Sequence, residues 1–267
     1  LLNRKKQKQK FVMPNLVHLH VHTQYSILDG LSDIKKLVSR AKELEMPAVA
    51  ITDHGNMYGV VDFYNAAKVE KIKPIIGCEA YVVEGSRFEK GSANSERTRG
   101  FHCVLLAKNK IGYINLCKLI SLGFKEGFYY NSRVDRELLE RYSEGLICSS
   151  ACLAGEIPYY IWNDNMEKAE AALQWYKKVF KDDFYLELMS HGLEKQRKVN
   201  DTLRILSKKY DVKLIVTNDV HYIRQEDRTA HDILICINTN SDYDDEKRLR
   251  YSGEEYFKTY NEMLELF

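Results

Sequence analysis

The run His18-Leu19-His20-Val21-His22-Thr23-Gln24-Tyr25-Ser26-Ile27-Leu28-Asp29-Gly30 decides how the rest of the chain is read. Leu16, Val17, Leu19 and Val21 give its first half strand character, and the two-residue period of a strand sends His18, His20 and His22 to one face. Two imidazoles on one strand face can grip one metal ion. Asp29 lies past the strand end, before a helix that Ser32 is placed to cap, so it can reach back over the same mouth. A lone His-x-His reads more readily as surface or core histidines than as a metal site. The remaining chain decides between the two.

Outward from that run the sequence alternates. Ser32 to Glu45 carries apolar residues at 34, 37, 38, 41 and 44, a helical stripe, and Ala48 to Thr52 is a buried strand after Met46-Pro47. A helix over 59–71, a strand over 74–82 and a polar loop over 84–99 follow. Phe101 to Ala107 and Ile111 to Leu122 make the next strand and helix. After a Gly/Tyr-rich connection and a short helix near 135–141 come a strand at Leu146 to Ser149, one or two helices over 154–180 and a strand at Phe184 to Leu188. A helix over 194–210 and a strand at Leu214 to Thr217 close the series. Seven strand-helix repeats predict an α/β fold: a distorted seven-stranded parallel (β/α)7 barrel, TIM-like, with its site at the C-terminal ends of the strands. An open doubly wound sheet is the alternative, although no Gly-x-Gly-x-x-Gly follows the first strand.

In a parallel barrel, chemistry gathers where the strands exit. Those exits hold His20 and His22, Asp53-His54-Gly55, Glu79, Cys152, and Asp219 with His221, while His102 falls near the start of its strand. Imidazoles, carboxylates and one thiol facing one mouth suit divalent ions. His18 reads as a packing group, and His191 and His231 as surface residues. Asp53, beside His54, could orient a ligand imidazole as a supporting carboxylate or simply cap a helix or turn. Arg97 and Arg99 could hold a phosphate oxygen or belong to a solvated loop.

Composition excludes several classes. The chain has 267 residues, 45% hydrophobic and 29% charged, enough for a sizeable core. No run approaches a membrane span and no apolar signal region opens the chain, so a soluble cytoplasmic protein is expected, with no membrane partner. Six cysteines without framework spacing fit a reducing compartment. Arg4, Lys5, Lys6, Lys8 and Lys10 supply the net charge of +2; without them 35 basic residues face 38 acidic ones, so the body is no basic nucleic-acid clamp. Residues 1–12 read as a disordered basic leader, 13–230 as the barrel, and 231–267 as an extension ending in an amphipathic run, Asn261 to Phe267, with nothing to pack against. That end is expected to lead into a larger, absent region.

Six blocks occur in order: HLHVHTQYSILDG from His18, ITDHGNMYG from Ile51, IKPIIGCEAY from Ile72, HCVLLAKN from His102, SSACLAGEIP from Ser149 and TNDVHY from Thr217. They resemble the PHP (polymerase and histidinol phosphatase) superfamily, and more closely the PHP domains at the N-termini of bacterial DNA polymerase III alpha subunits. The resemblance covers nearly everything from Met13 onward. It implies a distorted seven-fold barrel with up to three metal ions: His20, His22, Glu79 and Asp219 at the first, Glu79 bridging to a second with His102 and Cys152, and Asp29, His54 and His221 at the third. It further implies phosphoester hydrolysis, with the 3′ end of DNA as substrate and other replicase subunits as partners through the parent polymerase. A small phosphomonoester, or a metal-stabilised interaction module without turnover, are the alternatives. Clustered cations polarise a phosphoryl oxygen and activate water near neutral pH, so no protein base is assigned. The donor set favours zinc and admits manganese, magnesium or iron.

Overall fold

The computed structural model describes residues 16–91 and 96–267, with no side-chain description at positions 96 and 97. The leader over 1–12 and the Arg97 side chain therefore lie outside the described residues. Among the described residues, seven strands form one curled sheet: β1 (Ala48–Ile51), β2 (Lys73–Val82), β3 (Phe101–Ala107), β4 (Arg133–Val134), β5 (Leu146–Ser149), β6 (Phe184–Leu188) and β7 (Lys213–Val216). The helices are α1 (Ile34–Glu43), α2 (Val60–Glu70), the single turn α3 (Glu96–Arg99), α4 (Lys110–Glu126), α5 (Arg136–Tyr142), α6 (Glu156–Trp162), α7 (Met166–Phe180), α8 (Glu194–Tyr210), α9 (Arg228–Thr239) and α10 (Tyr260–Leu266). The strand order β1-β2-β3-β5-β6-β7, with β4 beside β2, runs sequentially around the sheet. A doubly wound sheet would reverse at a switch point.

The sheet is not wholly parallel, as the sequence reading had it. β3 runs antiparallel to both β2 and β5, while the other pairs are parallel. The first expected strand is also irregular. Residues 18–22 instead lie between the two open edges: His18 and Val21 carbonyls accept from Ala50 and Thr52 amides, and His22 and Val220 amides donate to Val220 and His20 carbonyls, at 2.7–3.0 Å. This segment curls the sheet towards closure and brings its first and last edges to one mouth.

Local chemistry explains the elements. Asp33, rather than Ser32, caps α1, its Oδ1 accepting from the Lys36 amide at 3.0 Å, and Gln24 Oε1 takes the Ile34 amide. Asn109 and Asp135 cap α4 and α5 in the same way. The 154–180 stretch is two helices because Asp164 turns left-handed and Asn165 caps α7. Leu116, Leu119, Leu173 and Leu203 pack the outer helices on β2, β3, β5 and β6, and Leu37, Val38 and Phe63 pack α1 and α2 on β1. Both clusters lie outside the sheet. The concave face carries a smaller apolar cluster, Ala50, Val104, Leu106 and Ala151, beside the polar groups of the mouth.

Candidate metal centre

The sheet converges on Glu79, buried on β2 with 1% of its surface exposed. Its Oε1 lies 3.1 Å from His20 Nε2 and 3.0 Å from His102 Nδ1, and its Oε2 lies 2.8 Å from His54 Nδ1 and 3.4 Å from His22 Nε2. One carboxylate thus touches four imidazoles. Asp219 Oδ1 sits 3.1 Å from His20 Nε2 and 3.2 Å from His22 Nε2. Asp29 Oδ2 is 2.8 Å from His54 Nε2 and 3.5 Å from His221 Nε2. Cys152 Sγ lies 3.6 Å from His102 Nδ1 and 4.0 Å from Glu79 Oε1. All nine expected residues meet at one mouth.

The reversed direction of β3 accounts for His102, which the sequence placed at the wrong end of its strand. In an antiparallel strand the N-terminal end opens on the mouth, and His102 pairs with Tyr81, two residues beyond Glu79. The loops that present the other groups are tightly built. Gly55 follows His54 with φ +60°, and Ser132 Oγ donates to its carbonyl at 2.6 Å. Gly30 approaches Thr23 so closely that a Cβ would lie 2.1 Å from the Thr23 carbonyl oxygen, which makes it the residue that lets Asp29 fold back. Leu28 and Ala151, adjacent to Asp29 and Cys152, and Asp219 itself adopt left-handed backbone, a strain of roughly 1–3 kcal/mol each that concentrates at functional sites.

Supporting groups fix the rings. His20 Nδ1 is 2.8 Å from Glu187 Oε1, and Glu187, 2% exposed, also accepts from the Thr217 and Ser149 hydroxyls. His22 Nδ1 lies 3.0 Å from Ser26 Oγ, which donates to Asp53 Oδ1 at 2.8 Å. Asp53 therefore supports a clustered imidazole, His22, through Ser26; the Thr23 amide and hydroxyl hold it further. With the Nδ1 protons directed this way, both Nε2 atoms face the centre and are the positions that would bind a cation. His191 and His231 are buried, not on the surface: His191 Nε2 hydrogen-bonds the Asn218 carbonyl at 3.0 Å and His231 Nε2 the Asp29 carbonyl at 2.9 Å. Each braces a residue at or beside the cluster. His18 packs on Phe257, ring centroids 4.3 Å apart, and bonds the Lys258 carbonyl, as a packing group should.

Sequence reading missed Glu187, Ser26 and Tyr251. Glu187 had a signal, a lone carboxylate between Leu186 and Leu188 in a buried strand. Tyr251, whose hydroxyl donates to Asp29 Oδ1 at 2.9 Å and lies 3.4 Å from His221 Nε2, had none, because the 240–258 stretch is irregular.

The electrostatics follow the geometry. Burial alone would raise the Glu79 pKa, but His102, His20 and His54 outweigh it and hold the carboxyl well below its usual range. Asp219 is lowered likewise, burial being overcome by His20, His221 and His22. His22 drops to about 3, through burial and then through His54 and His221. Burial, followed by Asp219 and Glu79, raises the Cys152 thiol. Five buried atoms here, His20 Nε2, His22 Nε2, His54 Nδ1, Glu79 Oε2 and Asp219 Oδ1, have no partner in hydrogen-bonding geometry among the described residues, although each lies within 2.8–3.4 Å of at least one other. Burial would lower His20 and His54, yet the carboxylates raise both well above the ordinary imidazole value, so in the metal-free chain protons hold the carboxylates where a cation would. Buried imidazole and carboxylate donors aimed at a common centre fit a cation. Three overlapping groups, His20-His22-Glu79, His54-Glu79-His102 and His22-His54-His221, have ligand atoms spaced to hold metal ions. A cleft of about 1020 Å³ opens over the cluster, lined also by Arg99, so the centre is accessible from outside.

The PHP domain family model matches residues 18–191. A DNA polymerase III subunit alpha from Borreliella burgdorferi is 48% identical over 252 residues, covering 94% of this chain and 22% of its own. The Campylobacter jejuni DNA polymerase III subunit alpha is 44% identical over 266 residues, covering 96% and 22%. The chain spans 22% of the length of these curated relatives. A solved two-domain protein from Bacteroides vulgatus containing a predicted PHP-like metal-dependent phosphoesterase covers 78% of this chain, and 54% of its own, at 14% identity and TM-score 0.47. No helix among the described residues is long and apolar enough to cross a membrane. Since the matched segment runs through seven of the nine clustered side chains, from His20 to Cys152, and through six of the seven strands, the chain belongs to the PHP domain family.

Proposed function

We propose that the nine-residue cluster holds two or three divalent ions, zinc first among them, and that the chain is a phosphoesterase acting on 3′ ends of DNA. It would do so in the cytoplasm as part of a replicative DNA polymerase III alpha subunit, alongside other replicase subunits. The observation that carries the metal is the set of five buried atoms without hydrogen bonds, drawn from imidazoles and carboxylates around Glu79. The relatives' printed names support the replicative setting. Thiol and imidazole donors favour zinc, while the three carboxylates admit manganese, magnesium or iron.

His20, His22, Glu79 and Asp219 would hold the first ion, Glu79, His102 and Cys152 the second, and Asp29, His54 and His221 the third. When bound, such ions polarise a phosphoryl oxygen, activate water and stabilise a leaving alkoxide. The protein's own part is orientation. Glu187 and the Ser26-Asp53 pair keep His20 and His22 turned with Nε2 towards the centre, and Arg99 at the rim of the cleft is the phosphate contact. Burial of the centre strengthens each of these interactions relative to water.

The test is release of a 3′-terminal label from a DNA single strand, with and without chelator, by the chain and by Asp219→Asn. That change keeps shape but removes a charge and an oxygen donor. Hydrolysis should fall by at least about 10²-fold with a modest change in melting temperature. No chelator-sensitive turnover, together with a much lower melting point for Asp219→Asn, would make the cluster a structural metal module instead.

A further inference from the structure

The last turn of α4 and the Gly/Tyr-rich connection to β4 contribute no side chain to the nine-residue cluster, yet they build one wall of the same cleft. Phe124, Phe128 and Tyr130 line the cleft together with His54, His102 and Asp219. Their rings are 37%, 54% and 60% exposed, against the near-complete burial of the core aromatics. Phe124 and Phe128 lie nearly parallel, centroids 6.2 Å apart and planes 15° from each other, and Tyr58 continues the stack on Phe124 at 6.0 Å and 30°. The shelf ends beside positive charge, since the Arg99 guanidinium sits 5.9 Å from the Tyr130 ring and Arg250 lines the same cleft.

The shelf is held rigidly. Buried Arg133 donates to the carbonyls of Gly127, Thr98, Arg87 and Glu89 at 2.8–3.0 Å, clamping both ends of the aromatic segment to the facing loop. Tyr130 adopts φ +62°, costly for an aromatic residue, and displays its ring to solvent as a result. Flat exposed rings in series, flanked by guanidinium groups and opening on a phosphoester-cleaving centre, match the pattern by which proteins hold unpaired nucleotides, bases on rings and backbone on cations. A small phosphomonoester would have no base to offer the shelf. In a duplex the bases already stack on each other.

We propose that Tyr58, Phe124, Phe128 and Tyr130 form a base-stacking shelf that selects single-stranded or frayed nucleic-acid ends for the metal centre. This deepens the proposed function and rests on it.

Binding in chelator, without turnover, tests it. Fluorescence anisotropy with a labelled oligothymidylate, an abasic strand of equal length and a blunt duplex separates stacking from phosphate attraction, because the abasic strand keeps its charges and loses its bases. The oligothymidylate should bind roughly tenfold or more tighter than the abasic strand, and the double variant Phe124→Ala/Phe128→Ala should lose most of that advantage. Both side chains are exposed, so circular dichroism should show the variant folded. Equal affinity for the strands with and without bases, an unchanged variant, or no binding at low salt overturns the inference. Loss of self-association in the variant at unchanged DNA affinity would overturn it too, assigning the shelf to protein contact. Hydrolysis of bis(p-nitrophenyl) phosphate by the unaltered chain reports the proposed reaction separately, so failure of the shelf and failure of the chemistry are distinguishable.

Discussion

Glu187 reaches the centre only through His20, which makes it a sensitive probe of how the cluster is held. Its Oε1 lies 2.8 Å from His20 Nδ1, and the Thr217 and Ser149 hydroxyls complete its acceptor sites in a pocket closed to water. In Glu187→Ala, an imidazole N–H and two hydroxyls lose a buried acceptor, and leaving such a group unpaired costs about 1–3 kcal/mol. Relaxation and partial re-pairing leave a net loss of about 3–5 kcal/mol in the metal-free protein, the range for breaking a buried pair. With His20 no longer held, metal affinity should fall by about 10- to 100-fold, as supporting carboxylates do elsewhere. Glu187→Gln keeps an oxygen for His20 and offers its amide N–H to Ser149, which can accept, so only the charge is lost and affinity should drop by about tenfold at most. Competition with a chromophoric chelator gives the affinities, and denaturant unfolding the stabilities. Equal metal affinity in the Ala variant and the unaltered protein would refute the role given to Glu187; so would indistinguishable Ala and Gln variants.

Burial lowers the His18 pKa to about 4, from 6.5 in the unfolded chain. A depressed histidine contributes stability that is complete above the unfolded pKa and is lost as pH falls through the folded value. His18→Gln should therefore remove about 3 kcal/mol of the stability that disappears between pH 6.5 and pH 4, measured as the difference between the two proteins' denaturation profiles; parallel profiles would exclude the effect. Arg133→Met leaves four carbonyls without their guanidinium donors and should destabilise by at least about 3 kcal/mol, read from denaturant melts. A loss under about 1 kcal/mol would mean the clamp holds nothing.

The cluster was legible in the sequence because strands deliver side chains with period two and sequential strand-helix units put their exits on one side. His20, His22, His54, Glu79, Cys152, Asp219 and His221 all stand at expected strand exits. The direction of β3 was not legible. Apolar periodicity is the same for either polarity, and the turn of chain that reverses it lies in the polar stretch before Phe101, so His102 looked misplaced until its strand proved antiparallel. Segment 16–22 was misjudged as a regular strand because Leu16, Val17, Leu19 and Val21 alternate correctly; its backbone is divided between two edges and completes neither ladder. His191, between Ser190 and Gly192, and His231, between Ala230 and Asp232, carry no local signal of burial. Their burial depends on contacts with Asn218 and Asp29, 27 and 202 residues away, which no local pattern encodes.

Metal content is the most direct measure of whether the cluster around Glu79 is a metal centre. The chain should be purified without chelator and analysed for bound elements beside Glu79→Gln, which removes the charge touching all four imidazoles. Two or more divalent ions per chain are expected in the unaltered protein, lost together with thermal stability on chelation and strongly reduced in the variant. Fewer than one ion per chain, with a melting temperature indifferent to chelator, would contradict the account.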